Sequence, residues 1–232
     1  MAEVIRINEG TYRIEDNGVR FFLLEGTEKA ILIDSGRGTP DARAIAESLT
    51  ALPLMLLNTH ADPDHISGNG AFDEVYMSPA EEAHYREKGG SNRVVPVRGG
   101  DEIDLGGRPL KVIDNPGHTE GSIAVLDVLN RVLIGGDSIQ NGNIYMFGAH
   151  RDMKKYAESL RRILAEKGCF DTVYPSHGDF PVYPDIIENL ITGAERIMNG
   201  EAAGETVTVH GSDVLLYRFS FAGFYVELPS GE

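Results

Sequence analysis

The stretch PLMLLNTHADPDHISG, residues 53–68, constrains this chain more than any other. Its first half is a continuous apolar run, which fits a strand buried on both faces; a half-solvated strand would alternate polar and apolar side chains. The run ends at Thr59 in a turn that packs His60, Asp62, Asp64 and His65 into six positions. A turn at the C-terminal end of a strand is where a rigid scaffold commonly carries its chemistry.

The rest of the chain reads as strands and helices in groups. EVIRI, TYRIE, VRFFLLEG and KAILIDSG are short strand-like runs bounded by Gly, Asn or Asp, the pattern of a meander. TPDARAIAESLTAL predicts a helix, with Pro40 near its start and Ala42, Ile45, Ala46 and Leu49 at helical spacing. Downstream come a strand EVYMS, a helix PAEEAHYREKG, strands near DEIDLGG and PLKVIDN, and a hairpin SIAVLDVLNRVLIGGDS turning at Leu129 and Asn130. A helix over 153–167 puts Met153, Tyr156, Leu160, Ile163 and Leu164 on one face. The strand DTVYPSH, a helix over about 184–200 and a strand-like tail follow. No Pro/Gly/Ser-rich linker divides the 232 residues. The order predicts one α/β domain over 1–232, an αββα sandwich of two stacked mixed β-sheets with helices on the outer faces.

Composition narrows the function. No run approaches the roughly 20 apolar residues of a membrane span, and MAEVIRINEG lacks the basic and apolar regions of a signal peptide, so the expectation is a cytoplasmic protein with no membrane partner. A net charge of -15 works against nucleic acid, whose affinity for proteins comes largely from Lys and Arg. The lone cysteine, Cys169, cannot form an internal disulfide or a cysteine cluster and is expected to pack beside Phe170. A metal here must be held by histidine and carboxylate.

Three further segments supply such groups. NPGHTEGS places His118 in a turn between strands, LIGGDS places Asp137 just after a strand, and VYPSHGD places His177 in the same setting. A sandwich that brings these strand ends to one edge gathers them with His60 and its neighbours. The order H-x-D-x-D-H, PGHTEGS, GGDS, YPSHGD resembles the metallo-β-lactamase-fold superfamily, whose usual motif is H-x-H-x-D-H followed by His, Asp and His. LLEGTEKAILIDSG upstream and YAESLRRIL before DTVYPSHGD extend the resemblance over roughly residues 15 to 180.

The resemblance implies a hydrolase with two divalent metal ions, zinc first and manganese or iron as alternatives. It assigns His60, His118 and the residue at 62 to one metal, Asp64, His65 and His177 to the other, and Asp137 to both. It implies a metal-bound hydroxide as nucleophile, a catalytic part for Asp64, and a supporting part for Asp34 that steadies a ligand histidine. The substrate it implies is a small molecule: an ester, thioester or lactone. His84 and His210 are expected to be ordinary solvated or hydrogen-bonded histidines, and His150, in the variable loop after Asp137, is a weaker candidate for touching substrate.

Asp62 departs from the usual histidine. It can ligate through its carboxylate, ligate through a water, or leave the first site weakened; as a hard, charged donor it shifts preference from zinc toward manganese or iron. Flavodiiron proteins of the same superfamily carry glutamate there, so a di-iron oxidoreductase acting on oxygen or nitric oxide is the alternative. Against it, Asp62 is one methylene shorter, and within these 232 residues no flavin-carrying domain is expected. Named substrates are each disfavoured: β-lactams by the missing signal peptide, glutathione thioesters by the acidic segment ERIMNGEAAGETVTVHGSD, and acyl-homoserine lactones by Gln140 where a tyrosine is frequent. The segment NGNIYMFGAH and the tail aromatics Tyr217, Phe219, Phe221, Phe224 and Tyr225 are candidates for a pocket wall, with core packing the commoner use of the latter.

Overall fold

Strands with no polar face need cover on both sides, and the fold supplies it. In the computed structural model, residues 2–38 and 41–229 are described; Pro40, expected near the first helix start, lies outside them. The first sheet has seven strands in sequence order: β1 (Glu3–Asn8), β2 (Thr11–Asp16), β3 (Val19–Glu25), β4 (Ala30–Ile33), β5 (Leu54–Leu57), β6 (Glu74–Met77) and β7 (Arg93–Pro96). The pairs from β1 to β4 are antiparallel, as a meander requires, and those from β4 to β7 are parallel. Helices α1 (Ala42–Leu49), α2 (Pro63–Ile66) and α3 (Glu82–Glu87) fall in the crossovers.

The second sheet comprises β8 (Glu102–Asp104), β9 (Pro109–Asp114), β10 (Ile123–Asp127) and β11 (Val132–Gly136), with β13 (Thr172–Pro175) parallel to β11. β12 (Asn143–Met146) lies instead in a third sheet with β14 (Glu205–Val209), β15 (Ser212–Arg218) and β16 (Gly223–Glu227). Helices α4 (Met153–Ala165) and α5 (Asp185–Met198) cover the second sheet. No helix among the described residues is long and apolar enough to cross a membrane.

Alternation along each strand assigns the layers. Phe22, Leu24, Ile31 and Ile33 meet Val112, Ile123, Val125 and Ile134 between the two large sheets. Their neighbours Phe21, Leu23, Ala30 and Leu32 point the other way, onto Ala42 and Ala46 of α1 and Tyr85 of α3. On the far side Ala124, Leu126 and Leu133 pack on Tyr156, Leu160 and Ile163 of α4 and Leu190 of α5. This is the αββα sandwich, each such large apolar side chain contributing roughly 1.5–3 kcal/mol on burial.

Three elements differ from their sequence reading. The segment PAEEAHYREKG opens with a 3-10 turn over Pro79–Glu81 before α3, because the fully buried Glu81 side chain serves the loops beside it. The tail does not extend the two main sheets; it curls into the third one, burying Phe224 and packing Tyr217, Phe219 and Phe221 against the α4–α5 core. Cys169 is exposed; the short 3-10 turn Lys167–Cys169 leaves it at the surface while Phe170 takes the buried position.

Candidate metal centre

β4 and β5 run parallel, so the turns after Ile33 and Leu57 emerge on one edge, where the β9–β10 loop and the segments after β11 and β13 also arrive. The edge gathers all seven of the sequence-derived candidates. Ligand-type atoms of His60, Asp62, His118 and Asp137 lie within 4.8 Å of one another, and so do those of Asp64, His65 and His177. Asp137 faces both groups: its Oδ2 is 3.7 Å from His118 Nε2 and 4.0 Å from His60 Nε2, and its Oδ1 is 3.1 Å from His65 Nε2 and 3.4 Å from His177 Nε2. Asp64 Oδ2 stands 3.4 Å from His177 Nε2.

The hydrogen bonds behind these groups define the imidazole tautomers. His65 Nδ1 donates to Asp34 Oδ2 at 2.8 Å, His118 Nδ1 to the Tyr145 carbonyl at 3.0 Å, and His177 Nδ1 to the Gly18 carbonyl at 2.7 Å. Thr59 donates its hydroxyl to Asp34, so its oxygen accepts from His60 Nδ1 at 3.0 Å. With every Nδ1 engaged, all four Nε2 atoms turn inward. His60 Nε2, His65 Nε2 and Asp137 Oδ1 are buried without a hydrogen-bond partner.

Orphaned donors of this kind fit a cation. Tetrahedral bonds of about 2.0–2.2 Å put neighbouring ligand atoms roughly 3.3–3.6 Å apart, close to the 3.2 Å from Asp62 Oδ2 to His118 Nε2 and the 3.5 Å to His60 Nε2. Electrostatics agree. Burial lowers the pKa of His177, but Asp137 and Asp64 outweigh it and raise it to about 10; His65 is raised through Asp137 and Asp34 in the same way. Burial raises the Asp137 pKa, yet His177 and His65 hold it well below the usual carboxylate range. Protons are thus drawn to the very nitrogens a metal would take. His118 differs: burial, then Arg151, keep it neutral and ready to donate a lone pair.

Sequence reasoning missed two residues. Arg151 Nη2 donates to Asp62 Oδ2 at 2.6 Å and Nη1 to the His118 carbonyl at 2.6 Å. Glu81 accepts from the Ala61 and Gly121 N–H groups and the Thr119 hydroxyl, each at 2.8 Å, joining the two loops that carry His60 and His118. Neither sits in a metal-like spacing. For Arg151 the signal was indirect, since a carboxylate in an imidazole's place calls for a cation; for Glu81 there was none, since an acid at a helix start is commonplace.

The remaining histidines also acquire places. His84 is buried, its Nδ1 3.1 Å from Glu81 Oε1 and its Nε2 3.5 Å from Asp62 Oδ1, a hydrogen-bonded histidine as expected, placed behind the centre and away from solvent. His150 stacks on His84 and bonds Glu87 Oε2 at 2.9 Å, outside the cleft lining. His210, at φ +50° in the β14–β15 turn, stacks at 5.9 Å on Tyr145 and lines the cleft. That cleft, about 670 Å³, opens over Asp62, Asp64, Asp137 and His177, with Asn143, Tyr145 and Phe147 in its wall.

A layered sandwich with a histidine–aspartate centre at its strand ends defines the class. The family model of the metallo-beta-lactamase superfamily matches residues 15–177, and the chain belongs to that superfamily. It is 29% identical over 201 residues to an acyl-coenzyme A thioesterase MBLAC2 of Gallus gallus, covering 69% of this chain and 73% of that one. It is 36% identical over 149 residues to a hydroxyacylglutathione hydrolase of Hyphomonas neptunium, covering 60% of this chain and 53% of the relative. A solved metallo-beta-lactamase from Pontibacter korlensis superposes with a TM-score of 0.73 at 20% identity, covering 84% of this chain and 99% of that one, a likeness of fold.

Proposed function

We propose that this enzyme hydrolyses a thioester or related ester of a small anionic molecule at a two-metal centre. His60, Asp62 and His118 would hold one ion, Asp64, His65 and His177 the other, and Asp137 would serve both, with zinc the expected metal. The carrying observation is the convergence of four inward Nε2 atoms on the two oxygens of Asp137 at a cleft floor. When bound, divalent cations would supply a water acidic enough to act as nucleophile near neutral pH and Lewis acidity toward the substrate carbonyl. The chain's own groups do the rest. Asp64, partly exposed at the cleft floor, orients the water, while Asp34 and the Tyr145 and Gly18 carbonyls fix the imidazoles. The relatives named are hydrolases, which favours this over a di-iron oxidoreductase.

The walls support the substrate class. In a chain of net charge -15, Arg37 and Lys88 line the cleft, and neither side chain is ion-paired among the described residues. Tyr145 and Phe147 offer apolar surface beside them. Both features suit a thioester whose thiol carrier bears phosphate or carboxylate, as coenzyme A does. The test compares an S-acyl coenzyme A with the matching S-acyl N-acetylcysteamine on zinc-loaded protein. Both should turn over without a reductant; Arg37→Gln and Lys88→Gln should each raise KM roughly fivefold for the first substrate only, an exposed ion pair being worth about 1 kcal/mol. Silence of folded, metal-loaded protein toward thioesters, esters and lactones would overturn the reading.

A further inference from the structure

A carboxylate cannot replace a neutral imidazole in a metal site without adding a negative charge, and the structure shows where that charge is met. Arg151 and Asp62 face each other largely shielded from solvent, 11% and 14% exposed, with Nη2 on Oδ2 at 2.6 Å. The same Oδ2 lies 3.2 Å from His118 Nε2 and 3.5 Å from His60 Nε2, so one oxygen serves both the guanidinium and the ligand cluster. The other Nη grips the backbone carbonyl of His118. Arg151 therefore ties together the two loops that carry the first-site donors.

We infer that Asp62 and Arg151 work as one neutral unit in place of the superfamily's usual histidine: the carboxylate supplies the donor atom and the guanidinium cancels its charge and fixes its rotamer. The inference rests on the two-metal reading above. Arg151 is a positioning residue, acting through Asp62. Its Nε is buried without a partner, so the two Nη contacts are what hold the group in place. The pair also bears on metal choice: a carboxylate balanced by a guanidinium is less anionic than a free one, which keeps zinc competitive at a site whose lone aspartate would favour harder ions.

Restoring the common motif alone should therefore fail. Asp62→His leaves Arg151 as an unbalanced cation beside a divalent ion, a repulsion strengthened by the low local dielectric. Zinc affinity at the first site should fall about tenfold or more. The double variant Asp62→His/Arg151→Met should return to within roughly threefold of the parent, whereas Asp62→His/Arg151→Lys, which keeps the charge, should stay weak. A role in packing alone would give the opposite order, since lysine replaces more of the arginine's contacts than methionine does. Arg151→Met by itself keeps all seven ligands and should raise the manganese-to-zinc affinity ratio several-fold.

The readouts are bound zinc per chain by elemental analysis and affinity by competition with a chromophoric chelator, with circular dichroism of each metal-free variant as the fold control. Equal zinc binding by Asp62→His and by its double with methionine, rescue by lysine as good as by methionine, or an unchanged manganese-to-zinc ratio in Arg151→Met would each overturn the pairing. Folded parent protein that takes up neither zinc nor manganese would overturn the metal centre and the pairing with it. Metal uptake by the parent with no thioesterase, esterase or lactonase activity would bear on the hydrolase reading alone.

Discussion

Each of the four clustered histidines spends one nitrogen on the scaffold and turns the other inward, so in the proposed centre residues that touch no substrate would control the site. Asp34 is the clearest. Held at φ +65° after β4, it accepts from the Thr59 N–H at 2.8 Å and the Thr59 hydroxyl at 2.7 Å as well as from His65. Asp34→Asn should weaken binding at the second site by about 10–100-fold while leaving the fold intact, which chelator competition on metal-loaded protein would show. Asp137→Ala should do more: both groups lose a shared carboxylate, so bound metal should drop at both positions together, by elemental analysis. Loss at one position alone would show that Asp137 does not span the two.

Among the elements, the β9–β10 loop is tightly specified, because it must deliver His118 beside a helix and a buried acid. A Cβ on Gly121 would come within 2.3 Å of the Glu81 backbone nitrogen, and one on Gly117, at φ +137°, within 2.3 Å of the Tyr156 backbone. That is the physical content of the PGHTEGS motif. Gly121→Ala should cost roughly 1–3 kcal/mol through overpacking and lower metal content by displacing His118, measured by denaturant unfolding alongside elemental analysis. An unchanged unfolding midpoint would mean that Glu81 yields freely. α4 begins beside this loop with Asp152 as its cap, accepting from the Lys155 N–H at 2.9 Å, so the helix start also positions Arg151 one residue earlier.

Over the whole molecule, the centre couples metal, protons and stability. In metal-free protein the raised pKa values of His65 and His177 mean that their protonated forms stabilise the fold. That contribution is fully present below the unfolded value near 6.5 and is lost as pH rises, through about 10 for His177. Asp62, Asp64 and Asp137 have depressed values, so their contribution is present above about 4 and lost in more acidic solution. Chelator-treated protein should therefore melt higher at pH 6 than at pH 9. Metal-loaded protein should show the reverse, since ligation needs neutral histidines. Thermal unfolding at the two pH values, with and without zinc, checks both directions; calorimetry in buffers of different ionisation enthalpy should also show proton release as zinc binds near neutral pH.

The layers of this fold were legible in the chain because alternation and apolar runs are local properties: VRFFLLEG and SIAVLDV read as strands, and the structure buries most of β3 and all of β10. The seven candidate residues were legible through the spacing H-x-D-x-D-H and the strand-end positions of His118, Asp137 and His177, and the structure brings them to one edge. What the tertiary structure alone decided lies between segments distant in sequence. Arg151 meets Asp62 across 89 positions, Glu81 meets Gly121 across 40, and β12 leaves its sequence neighbours to pair with β16. His84 and His210 look alike in the chain, yet one is buried behind Asp62 and the other is exposed at the cleft wall. No periodicity records such pairings, because they depend on which loops the stacked sheets bring to one edge, and there the charge of a buried carboxylate is balanced by the cation in reach rather than by its neighbours in sequence.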